Sequence, residues 1–226
     1  MRLLAIGDIH GCLRALDAIL EMVRPEPDDL LVFLGDYVDR GPDSRGVLDR
    51  LLEMPARCRC VFLRGNHDQM MLDARNSYPA QEEWMHCGGR KALESYGGTL
   101  DAVPEAHWRL LEDTQPLFET ETHFFVHANA YPEMPLDEQP EYMLYWEKLH
   151  AGWSAPHVSG KTMICGHSAQ KSGVPLDLGH AVCIDTFVYA TGWLTCLDVQ
   201  SGRLWQAKQS GETRMGRLGE ALTEPG

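Results

Sequence analysis

Leu3-Leu4-Ala5-Ile6 runs straight into Gly7-Asp8-Ile9-His10-Gly11, and the pattern recurs four more times along the chain. Leu30 to Leu34 leads into Gly35-Asp36-Tyr37-Val38-Asp39-Arg40-Gly41, and Cys60 to Leu63 leads into Arg64-Gly65-Asn66-His67-Asp68. His123 to Val126 leads into His127-Ala128-Asn129, and Thr162 to Cys165 leads into Gly166-His167-Ser168. Apolar runs of this length read as buried strands. The segments between the first three runs carry helical spacing: Leu13, Leu16, Ile19, Leu20 and Val23 share one face, and Val47, Leu48, Leu51 and Leu52 share another. Strand, helix, strand implies parallel pairing through right-handed crossovers, with ligands gathered beyond the carboxyl ends of the strands. Five strand ends thus bring an Asp, Asn or His to one edge.

The C-terminal third reads differently. Val182 to Asp185, Trp193 to Leu197 and Arg203 to Ala207 are short strands, with a turn at Ser201-Gly202 between the last two. They are expected to form a second, more antiparallel sheet packed on the first. The chain has 226 residues without internal repeats or a linker, which suits one catalytic domain over residues 1–210. Residues 211–226 are small and polar and are expected to form a poorly ordered tail.

Composition narrows the partners. Hydrophobic residues make up 44% and charged residues 23%, ordinary globular usage. The formal net charge of -13 leaves no basic surface for nucleic acid. No stretch approaches the roughly 18 apolar residues of a membrane span, and the N-terminal apolar run is too short for a secretory signal. The seven cysteines are scattered, mostly inside apolar runs, and read as reduced core residues of a cytoplasmic protein. Cys58 and Cys60, one residue apart with no second pair, make a poor metal or redox motif.

The strand-end residues suggest chemistry. Two neighbouring divalent cations need oxygen and imidazole ligands from several elements and a carboxylate shared between them. Ions roughly 3.5–4 Å apart then clamp a phosphate and make water nucleophilic near neutral pH. Asp8, His10, Asp36, Asn66, His127 and His167 each lie at or just beyond a strand end, beside glycines that permit tight turns. One Gly-Asp after a strand is usually a turn, and one His after an apolar run is usually structural. Five coincidences at successive strand ends point to a site.

Gly7 to Gly11, Gly35 to Gly41 and Gly65 to Asp68 closely resemble, in order and spacing, the three signature blocks of the phosphoprotein phosphatase branch of the calcineurin-like metallophosphoesterases. His127 and Gly166-His167 follow where that family has its last two histidine ligands. The stretch from Trp84 to Gly97 is similar to a segment of the bacterial and phage serine/threonine phosphatases, and the resemblance covers roughly residues 1–200. It implies an α/β fold in which two mixed sheets form a central β-sandwich flanked by helices. It implies two divalent metal ions, Mn²⁺ foremost with Fe or Zn as alternatives. Asp8, His10 and Asp36 would hold the first, and Asp36 would bridge to the second, completed by Asn66, His127 and His167. A bridging hydroxide would attack phosphorus directly. His67 would be the general acid, oriented by Asp39, and Arg40 and Asn66 would bind phosphate oxygens.

The chain departs from that family at three places. Asn129 stands where relatives often have Gly; Asn is the best other residue for positive φ. The second phosphate-binding Arg, usual near Tyr145 to Lys148, is missing; Lys148 either replaces it as a point charge or is an exposed helix lysine. Phe187 follows Asp185-Thr186 where relatives tend to have Gly. The expected function is a serine/threonine-type phosphatase acting on phosphomonoesters, in a phosphorylated protein or a small phosphoester. Hydrolysis of symmetrical diadenosine tetraphosphate or another nucleotide is the alternative, although the symmetrical dinucleotide hydrolases commonly lack the aspartate corresponding to Asp39. An inactive metal-binding scaffold is a third reading, opposed by the intact ligands, His67 and Asp39.

Overall fold

In the computed structural model, which describes residues 1–224, the strands fall into two sheets. They are β1 (Leu3–Ile6), β2 (Leu30–Phe33), β3 (Arg59–Phe62), β4 (Leu117–Glu119), β5 (His123–Val126), β6 (Thr162–Cys165), β7 (Leu176–Asp177), β8 (Ala181–Cys183), β9 (Leu194–Asp198), β10 (Arg203–Ala207) and β11 (Thr213–Arg217). One sheet has the order β11-β10-β9-β1-β2-β3, the other β4-β5-β6-β8-β7. Both are mixed: β1, β2 and β3 pair in parallel, as do β5, β6 and β8, while β9 to β11 and the edges β4 and β7 are antiparallel.

Strand periodicity explains the layering. Leu3 and Ala5 of β1, Val32 of β2 and the following Leu34 face Phe125, Ile164, Val182 and Ile184 of the other sheet. Leu4 and Ile6, with Leu31 and Phe33, face the helices α1 (Leu13–Val23) and α2 (Ser44–Glu53). Both faces of these strands are buried, so they read as continuous apolar runs. α1 buries Leu16, Ile19, Leu20 and Val23 as expected. α2 starts on Asp43, whose side chain accepts from Gly46 N at 2.8 Å.

Three expectations need correction. Leu52 is 41% exposed: a helix turns about 100° per residue, which carries it past the stripe of Val47, Leu48 and Leu51. The C-terminal strands do not form the second sheet. β9 adds antiparallel to β1 and extends the first sheet with β10, while β8 joins β5 and β6 in parallel. A strand's own pattern states which faces are buried, not which neighbour it pairs with. Within the expected tail, Thr213–Arg217 is β11, paired residue by residue with β10, and Thr223 bridges to Met215. Its backbone hydrogen bonds come from an available edge and need no apolar run. Residues 225 and 226 of that tail lie outside the described residues.

Among the described residues, no helix is long and apolar enough to cross a membrane. All seven cysteines are free; Cys58 and Cys60 have sulfurs 3.8 Å apart.

Candidate metal centre

The loops leaving β1, β2 and β3 are laced together by their backbones. Ile9 N and His10 N both donate to Asp36 O, at 3.1 and 2.8 Å, and Gly11 N donates to Tyr37 O at 2.9 Å. Asp68 lies in the first turn of α3 (Asn66–Asn76) and is fully buried. Its carboxylate accepts from Asp36 N (2.8 Å), Tyr37 N (3.0 Å) and Gly65 N (3.0 Å), tying the second loop to the third. Glycine is required at two contacts: a Cβ on Gly65 would overlap the Asp36 carboxylate, and one on Gly166 would overlap that of Asp8. Of the seven described non-glycine residues with positive φ, five lie here: His10 (46°), Asp36 (51°), Asp39 (73°), Arg40 (65°) and His167 (58°).

Asp36 is the centre. Its Oδ2 lies 3.3 Å from His10 Nε2 and its Oδ1 lies 3.4 Å from His127 Nε2. The far nitrogens of three rings donate to backbone carbonyls: His10 Nδ1 to Val38 O (2.9 Å), His127 Nδ1 to Leu34 O (2.8 Å) and His167 Nε2 to Trp146 O (2.9 Å). A carbonyl can only accept, so these nitrogens carry the hydrogens. Burial pushes all three imidazoles down, His167 to about 4, and they are neutral. His10 Nε2, His127 Nε2 and His167 Nδ1 therefore turn bare lone pairs into the site. Asn66 Oδ1 lies 3.1 Å from His127 Nε2 and 3.0 Å from His167 Nδ1. Asp36 is buried beside these rings, and its Oδ1 also accepts from His67 N at 3.0 Å.

Lone pairs gathered on a buried carboxylate suit a cation. Arg40 already supplies one, donating from its guanidinium to His10 Nε2 at 2.9 Å. Two overlapping donor groups have ligand atoms within 4.8 Å of one another: Asp36, His127 and His167, and His10, Asp36 and His67. Asp8 belongs to neither; its carboxylate accepts from His167 N at 3.1 and 3.2 Å. Burial, Asp185 and Asp36 push its carboxyl up. Asp185 is pushed up in the same way, by burial and then by Asp36. Three buried carboxylates so close together call for compensating positive charge, which divalent ions supply. The donor set, imidazole and carboxylate with one amide oxygen, fits such ions.

Beside this cluster His67 Nδ1 meets Asp39 Oδ2 at 2.7 Å, and both groups are buried. Trp84 Nε1 donates to both Asp39 oxygens at 2.9 Å. Burial pushes the Asp39 carboxyl up, while the bonds from His67 and Trp84 act in the opposite sense. The Arg40 guanidinium lies 4.6 Å over the Tyr189 ring, which meets His10 edge-on. A cleft of about 520 Å³ opens over Asp36, Arg40, Asn66, His167, Tyr189 and Lys148. Lys148 also lines a neighbouring cavity of about 230 Å³ with Phe124 and Met163 in its wall.

The departures resolve as follows. Lys148 is exposed and lies beyond the helix Glu141–Tyr145, so it is a cleft lysine and not a helix lysine. Asn129 is not left-handed; its amide donates to Lys148 O at 3.2 Å and its Oδ1 accepts from Ala130 N, so it anchors the loop that carries Lys148. Phe187 is left-handed at φ 67°, in the conformation glycine adopts more readily, and Asp185 Oδ1 accepts from its N at 3.0 Å. Asp68, Trp84 and Asp185 were given no role from sequence. Asp185 had a signal: it ends an apolar strand at the same edge as the other five.

The calcineurin-like phosphoesterase family matches residues 1–188. The chain is 32% identical over 203 residues to serine/threonine-protein phosphatase 1 of Salmonella typhimurium, covering 86% of this chain and 90% of that protein. It is 35% identical over 135 residues to the symmetrical bis(5'-nucleosyl)-tetraphosphatase of Janthinobacterium sp., covering 57% of this chain and 44% of that protein. A serine/threonine phosphatase structure from Saccharomyces cerevisiae superposes with a TM-score of 0.61 at 16% identity over the whole of this chain and 81% of its own. That last likeness speaks for the fold alone.

Proposed function

Because the chain belongs to the calcineurin-like phosphoesterase family, and is therefore a phosphoester hydrolase, we propose that it is a dinuclear-metal phosphatase whose substrates are phosphomonoesters, foremost phosphoserine and phosphothreonine in proteins. The observation that carries this is the pairing of two features at one edge: imidazole lone pairs turned onto the Asp36 carboxylate, and a buried His67–Asp39 pair beside them. Asp8, His10 and Asp36 would hold one ion; Asp36, Asn66, His127 and His167 would hold the other. Mn²⁺ suits this mixed set of oxygen and imidazole donors. When bound, the ions supply Lewis acidity at the phosphoryl oxygens and make water a nucleophile near neutral pH.

The remaining steps belong to the chain's own residues. Arg40 reaches the cleft with a planar fork that suits phosphate oxygens, and Tyr189 supports it from below. The reaction joins a water oxygen to phosphorus and breaks the ester bond, and the departing alkoxide needs a proton. With Nδ1 engaged by Asp39, the His67 ring is held so that Nε2 is the nitrogen available for that donation. No covalent nucleophile is required. Cys12, next to the first block, is buried with its thiol pushed up to about 12, and it donates to His10 O.

Two observations favour a phosphomonoester over a dinucleotide. Asp39 is present and engaged, and the similarity to the protein phosphatase spans 90% of that protein, against 44% for the tetraphosphatase. Steady-state rates on a phosphoserine peptide, a phosphotyrosine peptide and diadenosine tetraphosphate, with Mn²⁺ supplied, test the reading. The phosphoserine peptide should have the highest kcat/KM; preference for the dinucleotide would replace this reading with the second.

A further inference from the structure

The segment from Trp84 to Gly97 was singled out in the sequence, yet the chemistry above uses none of it. Its first residues form one physical unit. α4 (Tyr78–Trp84) runs into a kinked turn, Met85–Gly89, where Gly88 at φ 126° breaks the helical path before the next helix begins at Arg90. Trp84 ends the helix with its side chain fully buried, and its indole N–H divides between the two oxygens of Asp39. Gly89 lies against the indole, where a Cβ would overlap the ring. Gly88, at φ 126°, turns its carbonyl to accept from Arg40 N at 3.2 Å, and a Cβ there would meet the Arg40 side chain. One turn therefore grips two consecutive residues, the side chain of Asp39 and the backbone of Arg40.

Those two residues need an outside grip. Both are left-handed, at φ 73° and 65°, a conformation that L-residues adopt only when something holds them there. Their other backbone anchors are few: Asp39 N donates to Ser44 Oγ, and Gly41 N donates back to Asp39 O. Asp39 is fully buried, so an oxygen left without a donor would go unsatisfied.

We infer that Trp84 is a positioning residue of the phosphatase: its indole N–H holds Asp39 in the orientation that aims His67 at the leaving oxygen. It touches neither substrate nor metal. The inference rests on the reading of His67 as the general acid, and the test separates the two.

Trp84→Phe keeps an aromatic ring and removes the donor. β-(3-Benzothienyl)alanine incorporated at position 84 keeps the fused ring as well and lacks the N–H, which covers the case in which Phe leaves an unstable cavity. Each variant is assayed with Mn²⁺ on a phosphoserine peptide, whose alkoxide needs the proton, and on p-nitrophenyl phosphate, whose phenolate needs it far less. Both are then remade in a His67→Asn background. General acid catalysis contributes roughly 10²–10⁴-fold, and partial misalignment should remove about tenfold of it. The expected result is a fall of about tenfold in kcat on the peptide, at most about twofold on the aryl ester, unchanged bound metal, and no further loss in the His67→Asn background. Equal losses on both substrates, or a loss that persists without His67, would overturn the inference by making Trp84 a general packing residue. Wild-type kinetics would overturn it outright. If His67→Asn itself shows no preference between the substrates, the general-acid reading fails first.

Discussion

Asp68→Asn should be among the most damaging single-atom changes in the protein, although Asp68 is neither a ligand nor a proton donor in the mechanism. The Asp68 Oδ2 accepts from Asp36 N and Gly65 N, and Oδ1 accepts from Tyr37 N. An asparagine oxygen can take the two bonds of Oδ2. Its amide nitrogen then faces Tyr37 N–H, donor against donor, in a fully buried place. An unsatisfied buried N–H costs about 1–3 kcal/mol, and two bonds changed from charged to neutral acceptors lose about 1 kcal/mol each. Removing a buried carboxylate next to Asp36 returns part of this, because burial and Asp36 both push the Asp68 carboxyl up. The net is about 3 kcal/mol, a large share of a typical domain's 5–15 kcal/mol. Urea unfolding of the metal-free protein, followed by tryptophan fluorescence, gives the number. Metal titration of the folded variant should also show weaker binding, because the Asp36 backbone is no longer held. A destabilisation under about 1 kcal/mol with wild-type metal affinity would refute the role of Asp68 as the tie between the two loops.

Other outcomes follow from the same geometry. A chelator should abolish turnover and Mn²⁺ should restore it, and Asp36→Asn should lose more metal and more rate than Asn66→Ala; full activity in a metal-free preparation would remove the basis of the proposed function. Lys148→Ala should raise KM for phosphomonoesters several-fold while Lys148→Arg preserves it, as expected of an exposed cation lining the cleft; unchanged kinetics in both would exclude Lys148 from phosphate binding. Asp29 is buried, and although burial raises its carboxyl, the bonds from Arg2 and Glu26 N hold it at about 2. A folded pKa below the unfolded one stabilises fully above roughly pH 4 and is lost as pH falls through about 2. Asp29→Asn should therefore flatten the acid limb of the stability profile in that window, and an unchanged limb would contradict the Arg2–Asp29 clasp.

Much of this was legible because the fold repeats one device. A buried strand must be apolar, the chain must reverse beyond its end, and the residue at the reversal points to a common edge. Apolar run followed by Gly-Asp, Gly-Asn or His therefore marks both a strand and a site residue, and Asp36, Asn66, His127 and His167, which the structure brings together, are read that way. Residues that act by holding others carry no such mark. Trp84 looks like any core aromatic until its N–H is seen on Asp39, and Asp68 looks like a helix-start acid until three backbone donors converge on it. The sheet membership of β8, β9 and β10 was hidden for a related reason: strand pairing is chosen by partners far along the chain.

The backbone at the site gives a physical reason for coupling metal to fold. His10, Asp36, Asp39, Arg40 and His167 are all left-handed, each at a cost of roughly 1 kcal/mol or more, so that five together approach the scale of a domain's whole net stability. The same loops bury Asp8, Asp36 and Asp185 close enough that two of the three carboxyls are pushed toward protonation. Strain of this kind persists only where surrounding bonds over-determine it. The Asp68 and Trp84 bonds do part of that work, and ions that bind the folded site and not the unfolded chain would do the rest. At a free concentration a hundred times its Kd, an ion that binds only the folded state adds about 2.7 kcal/mol. For a chain of this size that raises Tm by roughly 5–10 °C. Thermal unfolding with and without Mn²⁺ measures it, and Asp68→Asn should reduce the Mn²⁺-induced rise because it loosens the ligand loop. An equal rise in both proteins would mean that the ligand loops are held without Asp68.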